Sequence, residues 1–462
     1  MSPQHVLGID SSTQSCKSVL VDAETGQIRD LRRAPHPEGT QVDPAAWLRA
    51  LTESCDDLMP QVAAVAVAGQ QHGMVALDTS GEVVRPAMLW NDTSSAGQAR
   101  DLIQEMGGPQ ACADAVGSVM VASLTASKLR WMRDNEPENA ARTNHVLLPH
   151  DYLTWHLGGR KEMTTDHGDA SGTGYSSTSE RAFVPELAER AIGHEVGLPR
   201  VAGPSEMVGE TVHGAPIGPG TGDNMAAALG LGLRRGDVCV SIGTSGVASA
   251  TVDRSVHDGA GLVTGFADAT GRFLPLACTL NGARVLELGA RLLGVDQNEL
   301  ARLALSAAPG ANGVCVLPYL DGERTPNRPD ANGMLRGLTT ATSREDFARG
   351  IVEGLLCSMK DAVQALETAT GVTTGRILLI GGGSRSEAIR RIAPQIFGVG
   401  VDVPDAGEYV ALGAARQAVW TLSGEVDPPE WKGASFTTYD DGPQPHIFER
   451  YAELRDQTQG WG

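Results

Sequence analysis

Short apolar runs broken by small polar loops set the rhythm of the chain. Val6-Leu7-Gly8-Ile9-Asp10 and Ser18-Val19-Leu20-Val21-Asp22 flank a Ser/Thr-containing segment at 11–17, and a turn-like Ala23-Glu24-Thr25-Gly26 follows. Two β-branched runs around a polar turn predict a hairpin of strands. Asp43-Pro44 then predicts a helix start, Asp as N-cap and Pro in the first turn. Trp47, Leu48, Leu51, Cys55 and Leu58 recur behind it at helical spacing. Residues 62–68 are continuously apolar, which fits a strand covered on both faces. That strand gives way to Gly69-Gln70-Gln71-His72-Gly73, a polar loop where a buried strand emerges, and such places bind ligands in α/β sheets.

Residues 160–222 lose periodicity and fill with turn formers. Within them 214–222 (GAPIGPGTG) has the composition of a linker. The opening pattern then returns: an apolar run at 238–242, the small turn Gly243-Thr244-Ser245-Gly246, and a second run at 247–252. This repetition predicts an internal duplication, one strand–turn–strand unit per half, with domains at 1–222 and 223–462. Further on, Ser343 with Asp346 has the spacing of a capping box. Phe347, Ile351, Leu355, Met359, Val363 and Leu366 form a helical stripe, and Gly371 stands where a C-cap belongs. A buried strand is expected at 377–380, with Gly381-Gly382-Gly383-Ser384 leading into a helix near Glu387. Beyond about 425 the chain is Pro-rich, then ends in a short amphipathic tail.

The 462 residues are 41% hydrophobic, enough for real cores, and carry a net charge of −19. So acidic a surface repels nucleic acids and anionic membranes, so neither is an expected partner. Glycine accounts for 56 residues and aromatics for only 4%, as in α/β proteins whose backbone turns approach a ligand closely. The seven scattered cysteines lack any C-x-x-C pair, which argues for reduced thiols rather than disulfides or zinc. No signal-like start and no bilayer-length apolar run is present, so a soluble cytoplasmic protein is expected.

The chemistry-bearing candidates lie in the loops after strands. The turns at 243–246 and 381–386 offer small residues with open N–H groups, suited to phosphate oxygens. No P-loop and no dinucleotide fingerprint is present. Asp10, followed by Ser11, Ser12 and Thr13, suits Mg²⁺ held partly through water, and equally suits an Asx-turn. Asp223 precedes a helix-forming run, where an ionised carboxylate could take a proton from a hydroxyl, but local sequence favours a plain N-cap. His72 could hydrogen-bond a polyol or be structural. Trp90-Asn91-Asp92 could line a carbohydrate or close a strand. The segment 321–327 (DGERTPN) reads as a turn held by ion pairs.

These motifs occur together and in order in one family. From about residue 6 to 420 the chain resembles the FGGY carbohydrate kinases, and within them the branch that phosphorylates D-xylulose. The segments that carry the resemblance are 9–17 (IDSSTQSCK), 69–73 (GQQHG), 89–92 (LWND), 166–173 (DHGDASGT), 222–224 (GDN), 241–246 (SIGTSG), 318–327 (PYLDGERTPN) and 381–386 (GGGSRS). The resemblance implies an α/β, two-domain fold of the actin/hexokinase (ribonuclease H-like) type with a central cleft. It implies that ATP and a small ketose are substrates and that Asp223 is the general base for O5 of D-xylulose. Gln71, His72, Trp90 and Asn224 become sugar-binding residues, and Asp10 the Mg²⁺-side carboxylate. Thr13, Lys17, Gly243, Thr244, Gly382, Gly383 and Ser386 become ATP-binding, and a homodimer is allowed for.

Two residues depart from the family pattern: Ser12 stands where Gly is frequent, and Gln71 where Met is common. Other expectations stay open on sequence alone. They are a kinase for ribulose, an alditol or gluconate, an ATP-binding module of the actin or heat-shock type, and a sugar sensor.

Overall fold

A computed structural model describes residues 4–405, 407–431 and 435–461. By internal contacts the chain falls into two units. One comprises Met1–Gly232, Asp253–Leu274 and Glu408–Gly433; the other comprises Leu233–Val252, Pro275–Gly407 and Ala434–Gly462.

The first unit is built on β1 (His5–Ser11), β2 (Ser15–Asp22) and β3 (Ile28–Pro35), an antiparallel meander. Helix α1 (Pro44–Cys55) follows, with Asp43 accepting from Ala45 N as its N-cap. β4 (Val65–Gly69) then pairs parallel to β1. Helices α2 (Thr125–Asn135) and α3 (Pro149–Leu157) come next. Three short strands complete the sheet: β5 (Gly209–Glu210), β6 (Pro216–Ile217) and β7 (Thr221–Gly222), the last two parallel to β4. Residues 214–222, linker-like by composition, are therefore part of this sheet. Gly and Pro suit such a segment because each strand contributes only two residues and the pairing is supplied by β4. A further helix, Pro185–Ile192, lies where periodicity is weak; its buried stripe is only Ala188, Ala191 and Ile192. Helix α4 (Asp223–Leu231) starts directly from β7.

The second unit repeats the plan. β8 (Asp237–Ile242), β9 (Gly246–Ala250) and β10 (Leu276–Thr279) form an antiparallel meander. Helix α5 (Arg344–Thr370) carries the expected capping box of Ser343 and Asp346 and stops at Gly371, φ +69°. β11 (Arg376–Ile380) pairs parallel to β8. Helix α6 (Glu387–Phe397) and β12 (Val401–Pro404) follow, and a strand at Phe436–Tyr439 closes the edge. Each unit thus has a three-stranded meander whose first strand takes a parallel neighbour, which is the duplication the sequence suggested.

In the first unit the faces of β1 and β4 differ in size. Leu7, Ile9, Val65 and Val67 pack with Trp47 and Leu51 of α1 and with Tyr152 of α3. The opposite face offers Gly8, Ala66 and Ala68 to helix α7 (Tyr409–Ser423), which supplies Ala411, Ala414, Ala415 and Ala418. Small residues on both partners let helix and sheet approach backbone to backbone. A Cβ at Gly8 would stand 2.0 Å from the Ala411 carbonyl oxygen. Gly230 and Gly413 make the same kind of contact between α4 and α7. All seven cysteines are free. Among the described residues no helix is long and apolar enough to cross a membrane.

Candidate active site

Register brings the first cluster together. Asp10 of β1 and Thr221 of β7 both stand beside Ala68 of β4, and Gly222 stands beside Gly69. Asp10, the loop after Gly69 and Asp223 therefore occupy the carboxyl ends of three adjacent parallel strands, where open α/β sheets bind ligands. Gly222, not Asp223, is the N-cap of α4, so Asp223 is the first residue inside the helix. Its side chain is thus not the N-cap, although one of its oxygens takes a first-turn N–H. The half-buried Asp223 accepts the Asn224 N–H at 2.8 Å, and Asn224 Nδ2 donates to Gln71 Oε1 at 2.8 Å. Desolvation pushes the Asp223 carboxyl up to about 7, and the like charges of Asp10 and Asp169 add to it.

Asp10 is buried and its carboxyl is raised chiefly by desolvation, against the hydrogen bond from Ser12 and the charge of Lys17. The Ser12 hydroxyl donates to Asp10, so Ser in place of the frequent Gly adds a donor to this carboxylate. Lys17 Nζ lies 2.5 Å from Glu408 and 3.8 Å from Asp10. Glu408 precedes α7 and was not among the sequence candidates; it is 391 residues from Lys17 and has no local motif. Thr13 Oγ1 accepts from the indole of Trp90 at 2.9 Å, and Trp90 is 46% exposed, open to a ligand. Gln71 is buried and its Nε2 has no hydrogen-bond partner among the described residues. His72 has φ +65° and its Nδ1 is 2.8 Å from the Gly172 carbonyl oxygen.

Behind these residues lies a second, fully buried cluster. Asp166 caps the short helix His167–Ala170 and accepts from Thr221 Oγ1 at 2.7 Å, which ties it to β7. Asp169 Oδ2 binds His150 Nδ1 at 2.6 Å, and His150 Nε2 lies 3.3 Å from Asp151. Burial pushes Asp151 up to about 7 and Asp166 up to about 6, and it raises Asp169 well above the ordinary carboxylate range. The three groups His150, Asp151 and Asp169 have metal-ligand proximity, within 4.8 Å. Asp169 Oδ2 is already bound to the imidazole, whereas His150 Nε2, Asp151 Oδ1 and Asp169 Oδ1 have no hydrogen-bond partner among the described residues. Neither His150 nor Asp151 stands in a motif, and only the fold brings them to Asp169. Cβ atoms at Gly220 and Gly222 would come within 2.6 Å of His150 and 3.1 Å of Asp169, so this cluster supports the strand that presents Asp223.

The second unit has its own crest. Ser241 of β8 pairs with Ile380 of β11, so the turns after these parallel strands are neighbours. Thr244 is exposed at the β8–β9 turn, with Gly243 beside it. Ala283 N and Gly282 N donate to the carbonyls of Gly243 and Thr244, which fixes that turn. Gly382 is exposed with open space where a side chain would be, whereas Gly383 is packed on Ile242. Ser386 is the N-cap of α6 without a side-chain cap bond. Among the described residues the 321–327 segment has one ion pair, Arg284–Asp321 at 3.2 Å. It is held more by buried Glu323, which accepts from Leu280 N, Asn281 Nδ2 and Arg324 N.

Comparison with known proteins gives one answer from three directions. Models of the N-terminal and C-terminal domains of the FGGY family of carbohydrate kinases match residues 5–230 and 238–422. A xylulose kinase of Streptomyces coelicolor is 45% identical over 91% of this chain and 88% of its own length. One from Streptomyces rubiginosus is 42% identical over 98% and 95%. The crystal structure of xylulose kinase from Bifidobacterium adolescentis aligns with TM-score 0.93 at 44% identity, covering 98% of this chain and all of that one.

Proposed function

Since the chain belongs to the FGGY family of carbohydrate kinases, with its two-domain actin/hexokinase-like fold, we propose that it transfers the γ-phosphoryl group of ATP to O5 of D-xylulose. The observation that carries this reading is the row formed by Asp10, Gln71 and Asp223 at the ends of three paired strands. Xylulose kinases similar to this chain over nearly their whole length supply the substrate.

In this reading Gln71, His72, Trp90 and Asn224 bind the sugar. Asp223 takes the O5 proton as the O5–phosphorus bond forms and ADP leaves. Thr13, Lys17, Gly243, Thr244, Gly382, Gly383 and Ser386 hold the nucleotide. Phosphoryl transfer has a loose transition state, so positioning and charge neutralisation dominate. Asp10 and the Ser12 hydroxyl are hard oxygen donors fit for Mg²⁺. A buried Asp10 that raises the Asp223 carboxyl by like-charge repulsion is the environment a cation relieves. Bound there, Mg²⁺ supplies charge neutralisation to the triphosphate. Closure of the two units over the sugar would exclude water and spare ATP from hydrolysis.

Coupled assay of ADP release with D-xylulose, D-ribulose, glycerol and no sugar tests the reading. D-xylulose is expected to give a kcat/KM at least about tenfold above D-ribulose, a modest difference of the kind one added contact provides. Equal turnover without sugar would sink it. Gly383→Val checks the nucleotide side. A Cβ there already meets Ile242 at 2.4 Å, so the loop must shift. KM for ATP is expected to rise about tenfold, while the thermal shift given by D-xylulose alone is retained.

A further inference from the structure

Lys128 is completely buried in the first turn of α2, and the mechanism above makes no use of it. Among the described residues no carboxylate lies within ion-pair distance of it. Its Nζ donates instead to two backbone carbonyls, that of His72 at 2.7 Å and that of Ser123. Thr125, at the start of the same helix, donates its hydroxyl to the same His72 carbonyl at 3.3 Å. A buried ammonium is costly unless each of its protons finds a strong acceptor. Burial does push the Lys128 amine down to about 7, with Asp92 opposing. Neutral or charged, the group still donates to carbonyls.

What the two donors hold is an unusual backbone. His72 adopts φ +65°, a left-handed conformation that costs a non-glycine residue about 1 kcal/mol or more unless its surroundings impose it. The ring is fixed at the other end. Its Nδ1 faces the Gly172 carbonyl, its centroid lies 5.4 Å from that of Phe266, and a Cβ at Gly172 would come within 2.5 Å of it. Carbonyl and imidazole are thus set independently, the carbonyl from α2 and the ring from the 172 and 266 segments.

We propose that Lys128, assisted by Thr125, is a positioning residue for sugar recognition: it pins the His72 carbonyl and so fixes where the imidazole meets the ketose. An ammonium suits the task because its N–H donors reach two carbonyls at once. The inference rests on the reading of 69–73 as the sugar loop.

A double-mutant cycle tests it. Lys128→Met, His72→Ala and the double variant are assayed for kcat/KM with D-xylulose, KM for ATP and melting temperature. Lys128→Met is expected to lower kcat/KM about tenfold, mainly through KM for the ketose, with KM for ATP within about twofold. In the His72→Ala background the same change is expected to have less than about a twofold effect. Equal effects in both backgrounds would overturn the proposal and leave Lys128 a structural residue. An inert His72→Ala would instead sink the assignment of the sugar loop. Should Lys128→Met not fold, Thr125→Val carries the test: KM for the ketose should rise about two- to threefold in the parent and not beside His72→Ala. An unchanged KM in Thr125→Val overturns the proposal.

Discussion

Asp223→Asn is expected to lower kcat by about 10²-fold or more and, at pH 8, to melt at a higher temperature than the parent enzyme. Both effects come from one circumstance. The carboxyl sits in a recess beside Asp10 and Asp169, and burial with like charge raises it to about 7. A group poised there is a competent base at neutral pH, since it holds the proton strongly enough to take it and weakly enough to lose it. Its ionised form is also a burden on the fold. In the unfolded chain an aspartate titrates near 4. The native state therefore binds more protons than the unfolded state between about pH 4 and 7, and stability falls as pH rises through that window. Below it the penalty is absent; above about 7 it is fully present. The amide removes the charge, keeps the shape, and can still accept the Asn224 N–H. The gain in melting temperature at pH 8 should be about 2 °C or more and should vanish near pH 4. The parent's kcat/KM for the ketose should show an acidic limb above the ordinary aspartate range, moved down as Mg²⁺ at Asp10 relieves the like charge. A variant with near-normal turnover would remove Asp223 from the role of base.

What was legible in the sequence was local. Asp43-Pro44 and the pair Ser343 and Asp346 announce helix starts because capping involves residues two or three apart. The hairpin that opens each meander was visible because its strand–turn–strand pattern lies within about twenty residues and then repeats, whereas the third strands β3 and β10 were not. The GDN segment pointed to Asp223, but the distinction between N-cap and first helical residue needed coordinates. Residues made important by distant partners stayed hidden. Glu408 matters only because the fold returns α7 to the end of β1, next to Lys17. His150 and Asp151 look like ordinary first-turn residues of α3 until Asp169 arrives beside them. Residues 214–222 were misread for the same reason, since their strand character is imposed by β4.

Gly413→Ala separates local propensity from packing by the sign of its effect. In a helix interior, alanine is favoured over glycine by about 1 kcal/mol, so propensity alone predicts a more stable α7. Packing predicts the reverse. A Cβ at Gly413 would lie 1.8 Å from the Ala226 carbonyl oxygen of α4, and the reciprocal Cβ at Gly230 would lie 2.1 Å from the Tyr409 carbonyl oxygen. Neither obstacle is a side chain that can rotate away. The other side of α7 is equally close, with Gly8 of β1 against Ala411 and Ala415. The helix is therefore held between α4 and the sheet, and one methyl group must move an entire element. Overpacking of this kind costs about 1–3 kcal/mol or more, enough to outweigh the propensity gain. The expected result is a fall in melting temperature of several degrees, with kcat reduced as well, because α4 carries Asp223 at its first position. Gly97→Ala is the control. It too is helical, but its Cβ would meet only the tip of Arg100 at 3.9 Å, so propensity should win and stability should rise slightly. If Gly413→Ala melted at or above the parent, the backbone contact between α7 and α4 would not be what sets the position of Asp223.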